Sequence, residues 1–387
     1  MTPPRVDILH AITKMAVGGA QMNTLITCRE SARRGLPSAV VSGPDMPSEG
    51  NLMGLAREWG VPVSVAAHLR REISPAADLL ALRELRRAIR DSGCRIVHTH
   101  SAKTRVLARL ACRRMPGVKV VQTAHGWPFY RGQSPLLGLA YRTFEKACFG
   151  RADASIVVTP RDAEKAQRAG IADSGEFLVI RSGVEFAPFR QSRGMRSRAR
   201  ELMDLPPDVP VVGSTMRICA QKAPELMVEV AQRVVEQRPQ TVFSIIGDGP
   251  LMPAMEMWIA DRGLEGSFRM MGSRSDVHRL LPGLDVFLLT SRHEGLPRAL
   301  LEALAAGVPA VATNVGGVGE LLDTRRHGLT CASGDIGCLA SGIVRLIDSP
   351  ALRQSLMEGV DGSLRPFSAS AMVERLQSLY LDLLEER

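Results

Sequence analysis

The feature that most constrains this chain is a rhythm. Short apolar runs alternate with segments of helical periodicity along nearly its whole length. Val6–His10, Ala39–Ser42, Val61–Ala66, Arg95–His100, Val118–Thr123, Ala154–Thr159 and Phe177–Arg181 read as strands. Helical patterns lie among them at Gly19–Arg34, Ala77–Asp91, Lys103–Arg114 and Pro135–Phe149. The pattern then restarts, with strands at Pro210–Thr215, Thr241–Ile246, Phe268–Met271, Val286–Thr290, Ala310–Thr313 and Leu329–Cys331. Continuous apolar strands separated by helices are covered on both faces, the condition of a parallel sheet in a doubly wound α/β domain. A chain of 387 residues has length for two such domains.

The expected boundary lies between the halves. Arg190–Arg200 carries five arginines, and Pro206, Pro207 and Pro210 follow, so this non-strand stretch reads as the linker. The expected domains are 1–188 and 189–365. The remainder, 366–387, holds a last helix over Ser368–Glu386, after Pro366. Its Met372, Leu376, Leu379, Leu383 and Leu384 form one apolar stripe. That stripe must be buried on something, and the N-terminal domain is one candidate.

Charge and cysteine content narrow the partners. Forty-nine basic against 40 acidic side chains give a formal charge of +9. Such a surplus suits an anionic ligand, an anionic membrane surface or nucleic acid. With only 3 Trp, 3 Tyr and 10 Phe, stacking platforms for single-stranded nucleic acid are not expected. The seven cysteines are odd in number and no pair has Cys-x-x-Cys spacing, which points to reduced thiols and a cytoplasmic protein, not a disulfide scaffold or zinc site. The opening MTPPRVDILHAI has no signal-peptide apolar core, and no apolar run approaches the ~18 residues of a membrane span.

In doubly wound sheets ligands bind beyond the carboxyl ends of the strands. The richest strand-to-helix loop runs from Thr290 to Leu321. Pro297 suits the start of a helix, and Gly307 and Pro309 suit its end. Free N–H groups near Gly295–Arg298, with the helix dipole, make an anion site. Glu294 precedes this helix and Glu302 lies eight residues on, inside it. A carboxylate accepts from two neighbouring hydroxyls at once, as on a ribose or hexose. A phosphate-binding helix start between two carboxylates suits a nucleotide-sugar; a capped amphipathic helix with two solvated glutamates has the same spacing.

Arg217 and Lys222, five apart after the first strand of the second half, can hold a diphosphate and offset leaving-group charge. A solvated surface pair reads the same. Gly247-Asp248-Gly249 ends the next strand in a tight turn, where glycine lets backbone approach a ligand. In the first half, Gly18-Gly19-Ala20 opens a helix but is not the G-x-G-x-x-G dinucleotide fingerprint. His98, His100 and His125 sit at strand ends, where a histidine is either structural or a ligand contact. There is no P-loop, no Asp-x-Asp and no clustered ligand set, so no metal or other cofactor is expected.

Together these segments resemble the GT4-type retaining glycosyltransferases of the GT-B fold, of the kind that build bacterial exopolysaccharides and glycolipids. The most specific match is the E-x7-E run, EGLPRALLEALAAGVPAVAT, from Glu294. GGAQ at 18–21, VHTHSAKTRVLARLA at 97–111, TAHGWPF at 123–129, IIGDGPL at 245–251 and GGVGEL at 316–321 support it. The resemblance implies two Rossmann-like domains facing a cleft. It implies that Glu302 binds the donor ribose, and that Glu294 contacts the transferred sugar. Arg217 and Lys222 would hold the diphosphate with backbone at Gly295 and Leu296. Gly18 and Gly19 would approach donor phosphate or acceptor, and His125 would lie near the donor sugar. It implies transfer from a nucleotide-sugar, UDP by default, to a hydroxyl acceptor such as a lipid-linked saccharide, without a metal. Three positions depart from the family pattern: Met216, Ala223 and Gly319 stand where Gly, Gly and Pro are usual. A nucleotide-sugar 2-epimerase and a non-catalytic binding protein of the same fold are the alternatives; the full E-x7-E context counts against the first and the retained charged groups against the second. Arg83, Arg86, Arg87, Arg90, Arg105, Arg109, Arg113 and Arg114, on two helices, read either as solvated faces or as a docking surface for an anionic inner leaflet. Leu136, Leu137, Leu139 and Tyr141, near Trp127–Tyr130, would add apolar contact.

Overall fold

The computed structural model describes residues 5–44, 50–127, 135–149, 152–322 and 326–385. They form two compact units, one of residues 1–183 with 369–387, the other of residues 184–368. The first is built on seven strands: β1 (Ile8–Ile12), β2 (Ser38–Ser42), β3 (Val63–Val65), β4 (Ile96–Thr99), β5 (Lys119–Ala124), β6 (Ala154–Val157) and β7 (Leu178–Val179). The second has six: β8 (Val211–Thr215), β9 (Val242–Ile246), β10 (Phe268–Gly272), β11 (Val286–Leu289), β12 (Ala310–Thr313) and β13 (Gly328–Cys331).

The sheet orders are β3-β2-β1-β4-β5-β6-β7 and β10-β9-β8-β11-β12-β13. Every pairing is parallel. Both sheets therefore reverse direction of winding once, between β1 and β4 and between β8 and β11. Those switch points open a crevice at the carboxyl ends of the strands. The central strands are wholly buried, as in ILHAI of β1 and VFLL of β11, and apolar apart from His10 and the polar residues of their neighbours.

The C-terminal helix Ala369–Glu385 belongs to the first unit. Met372, Val373, Leu376, Tyr380 and Leu383 are buried against Ile8, Ile26, Ile96, Val121 and Ile156. The chain crosses between units twice, at 183/184 and 368/369. At Gly183 a Cβ would stand 2.7 Å from the Ala369 Cα, so the two crossing segments touch because no side chain separates them.

Three expectations need correction. The arginine-rich stretch is not a linker but part of the second unit, folded as helices Ala187–Gln191 and Arg196–Leu202. Arg200 is buried there, donating to Asp285 at 3.0 Å and to the Pro206 and Val209 carbonyls. Arg193 bonds Asp361 and the Ala305 carbonyl. Multiple acceptors, rather than solvent, account for these charges. Second, the cysteines are not all reduced: Cys331, at the end of β13, is bonded to Cys338 in helix Ile336–Asp348. A separation of seven residues across a turn falls outside the spacing rule used above. Cys28, Cys94, Cys112 and Cys219 are free. Third, Arg105 is not on a surface. It is buried and bonds the buried Glu145 carboxylate at 2.5 Å. Arg83, Arg87, Arg90, Arg113 and Arg114 are exposed, Arg86 and Arg109 half-buried. Leu136 and Leu139 are exposed; residues 128–130 and the side chains of Leu137 and Tyr141 lie outside what is described. Among the described residues, no helix is long and apolar enough to cross a membrane.

Candidate functional site

In the second unit the switch point lies between β8 and β11, and the loops leaving these two strands are tied together. Thr290 donates to the Lys222 carbonyl at 2.8 Å, Arg292 N–H to the Gln221 carbonyl at 2.8 Å, and the Gln221 amide to the His293 carbonyl at 3.0 Å. These bonds bring the two charged groups into contact. Lys222 Nζ donates to Glu294 Oε1 at 2.5 Å, and Ser291 Oγ donates to the same oxygen at 2.5 Å. The Glu294 side chain is 7% exposed and that of Lys222 17%, so the pair is shielded but reachable. Gly316 fits beneath it in a left-handed conformation (φ 54°), where a Cβ would stand 2.0 Å from the Glu294 carbonyl oxygen.

The helix after Glu294 runs Arg298–Ala305 with Pro297 as its N-cap. Glu302 lies one turn inside and faces Arg298 at 3.6 Å. Burial pushes its carboxyl up, and the Arg298 charge pulls it back. Gly295 is half-buried and Leu296 buried at the helix entrance. Arg217 is exposed on the loop after β8, between buried Met216 and Ile218. Met216 turns into the hydrophobic core, which is how the loop accepts it in place of glycine. Ala223 adopts φ 49°, the left-handed conformation for which the family's usual glycine is suited.

Gly247 and Gly249 pack closely against this loop. A Cβ on Gly247 would stand 1.8 Å from the Met216 carbonyl oxygen, and on Gly249 2.3 Å from that of Ile218. The turn thus braces both neighbours of Arg217, closed by Met216 N–H to the Ile246 carbonyl and Ile218 N–H to the Asp248 carbonyl. Ser291, Gln221, Arg292 and Arg298 escaped the sequence reading; of these only Arg298 left a signal, its i,i+4 spacing to Glu302.

In the first unit Gly18 caps the helix Gly19–Arg33 with extended backbone, its carbonyl accepting from Met22 N–H; Gly19 is exposed. At the β1/β4 switch point four histidines cluster. His10 of β1 pairs in register with His98 of β4. His100 and His125 follow the ends of β4 and β5. His10 Nδ1 lies 2.8 Å from His100 Nε2, and His100 Nδ1 lies 3.1 Å from His125 Nε2. His98 is held between the Tyr380 hydroxyl at 2.6 Å and Thr123 at 2.8 Å. Burial pushes His10 down to about 3 and His125 to about 4, and holds His98 and His100 well below the usual range. Nitrogens of His10, His98 and His100 all lie within 4.8 Å of one another, which corrects the expectation of no clustered ligand set. His10 is ninety residues from His100, so no local motif contained it.

Comparison with known proteins agrees with this fold. Residues 18–183 match the glycosyl transferase 4-like domain and residues 206–349 match glycosyl transferases group 1. The putative glycosyltransferase EpsD of Bacillus subtilis is 30% identical over 320 residues, 81% of this chain and 83% of that protein. UDP-Gal:alpha-D-GlcNAc-diphosphoundecaprenol alpha-1,3-galactosyltransferase of Escherichia coli is 28% identical over 318 residues, 81% of this chain and 82% of that one. Among solved structures, Anabaena HepE in complex with UDP and glucose superposes with a TM-score of 0.82 at 18% identity, covering 97% and 99% of the two chains. The chain belongs to the glycosyl transferase group 1 and 4-like family, GT4-type glycosyltransferases of the GT-B fold.

Proposed function

We propose that the protein transfers a hexose-type sugar from UDP-hexose to a hydroxyl of a lipid-linked saccharide, with retention of configuration and without a metal. The observation that carries this is the Lys222–Glu294 pair, which joins the loops of β8 and β11 at the switch point. A cation already paired with a carboxylate leaves one charged group for the diphosphate and one for the sugar hydroxyls. Arg217 and Lys222 offset the charge that develops on the leaving nucleoside diphosphate, helped by the N–H groups at Gly295 and Leu296. Glu302 takes the ribose hydroxyls, displacing its contact with Arg298. Gly18 and Gly19 come close to donor phosphate or acceptor, and His125 contacts the donor sugar. The leaving phosphate takes the acceptor proton on the same face of the sugar, a geometry that positioning alone makes fast. The E. coli relative, named for a UDP-galactose donor and a diphosphoundecaprenol acceptor, supports the choice of both substrates.

A lipid-linked acceptor brings the protein to the inner membrane surface. The exposed Arg83, Arg87, Arg90, Arg113 and Arg114 supply attraction to anionic lipid, at ~1 kcal/mol per basic residue near the surface. Flotation with acidic liposomes tests this: binding lost at high salt is expected, and no salt-sensitive binding contradicts it. For the reaction, Glu294→Ala is expected to abolish transfer and Arg217→Ala to weaken UDP-sugar binding. Rates near wild type in both would remove the site assignment.

A further inference from the structure

Two donors from different loops converge on one oxygen of Glu294. Lys222 Nζ and Ser291 Oγ each lie 2.5 Å from Oε1. An ionised carboxylate only accepts, so the serine hydroxyl is the donor. Oε2 takes no bond among the described residues, nor is it one of the buried polar atoms left without a partner. It is therefore the oxygen that solvent or a ligand reaches. The two donors differ in how firmly they are held. Ser291 is wholly buried, and its carbonyl accepts from Thr313 Oγ1 at 2.7 Å, at the end of β12. Its hydroxyl sits one carbon from this pinned backbone. Lys222 carries its ammonium on a flexible four-carbon stem, and its side chain is 17% exposed. A diphosphate at the β8 loop presents more negative charge than one carboxylate, so it draws the ammonium and leaves the serine where it is.

We infer that Ser291 is a positioning residue: it keeps Glu294 Oε1 in place when the Lys222 ammonium turns to the diphosphate, so that Oε2 stays presented to the hydroxyls of the transferred sugar. This rests on the function proposed above, in which Glu294 meets that sugar. Ser291 then acts on the sugar end of the donor and not on its nucleotide end. A serine that only supported the loop would serve both ends alike, because the same loop leads into the helix start at Gly295 and Leu296.

The test uses the full chain and two readings, initial rates of transfer from UDP-hexose and calorimetric binding of UDP alone. Ser291→Ala should lower kcat/KM for UDP-hexose by about 10- to 100-fold, the size of one hydrogen bond to a charged group. Its dissociation constant for UDP should change little, because UDP has no sugar for Glu294 to meet. Ser291→Thr keeps the hydroxyl and should recover most of the rate. If its added methyl group prevents folding in this buried place, the two readings on Ser291→Ala decide. Ser291→Ala at the wild-type rate, beside an inactive Glu294→Ala, overturns the inference and leaves the site assignment standing. So does a loss of UDP affinity as large as the loss of transfer, which would make the serine a support of the whole loop. If Glu294→Ala itself transfers at the wild-type rate, the reading of Glu294 as the sugar contact falls and the inference falls with it.

Discussion

Lys222 and Glu294 lie seventy-two residues apart and meet at 2.5 Å. Both were legible as candidates because they lie on strand-to-helix loops and fall in the segments that carry the family resemblance. Their pairing was not legible, because it depends on backbone bonds between loops such as that from Thr290 to the Lys222 carbonyl. Ala223 shows a second limit. Its left-handed backbone costs roughly 1–2 kcal/mol. Glycine there would relieve that strain but bring roughly 0.5–1 kcal/mol of unfolded-state entropy and remove a buried methyl worth about 0.8 kcal/mol. These contributions nearly cancel, so Ala223→Gly is expected to move the denaturation midpoint by less than about 1 kcal/mol. A gain or loss of several kcal/mol would show that the loop is set by something else. The histidines make a prediction with a definite sign. Their folded-state values lie below the ordinary 6.5, to about 3 for His10 and about 4 for His125. The unfolded chain therefore takes up the protons first. This contribution is complete above about pH 6.5 and is lost as pH falls toward 4, at about 1.4 kcal/mol per pH unit for each ring. Thermal melts from pH 7 to 5 should show that decline, and His10→Phe should reduce its slope by one proton.

At the scale of elements, the thirteen strands among the described residues overlap the segments their apolar runs mark out, most plainly for the central ones, since a strand buried on both faces leaves an unbroken signature. What the runs hide is which polar groups are buried between elements. Arg105 has the spacing of a solvated helix face, yet it bonds Glu145 of the helix Pro135–Phe149, and both are buried. Glu145→Ala would leave the Arg105 charge uncompensated, at an expected cost of about 3–5 kcal/mol in urea unfolding. A cost below about 1 kcal/mol would mean that water reaches the site. The last helix offers a larger test. Its apolar stripe is plain in sequence, whereas Tyr380 is not, because its place is fixed by the hydroxyl's bond to His98. Burial of Met372, Val373, Leu376, Tyr380 and Leu383 contributes roughly 8–15 kcal/mol, as much as a whole domain's usual stability of about 5–15 kcal/mol. Ending the chain at residue 368 should abolish cooperative unfolding of the first unit, read by amide exchange; retained protection in β1 and β4 would contradict it.

For the molecule as a whole, the two sheets share one strand plan, and each places its polar loops at its own switch point. The first contributes a buried histidine chain, the second a lysine–glutamate pair beside a helix start. The surplus of positive charge divides unevenly between uses. Arg105, Arg193 and Arg200 are committed to internal acceptors, and Lys222 is shielded against Glu294. Arg83, Arg87 and Arg90 on the helix Pro75–Ser92, and Arg113 and Arg114 just beyond the helix Ala102–Cys112, are exposed and are the groups the proposed membrane docking would use. The central claim is transfer itself. Purified protein is incubated with UDP-hexoses, a lipid-linked saccharide and a chelator, and the acceptor is weighed by mass spectrometry. The account predicts a gain of one hexose with at least one donor, undiminished by the chelator and absent for Glu294→Ala; a gain that survives Glu294→Ala, or one that requires added metal, would contradict it.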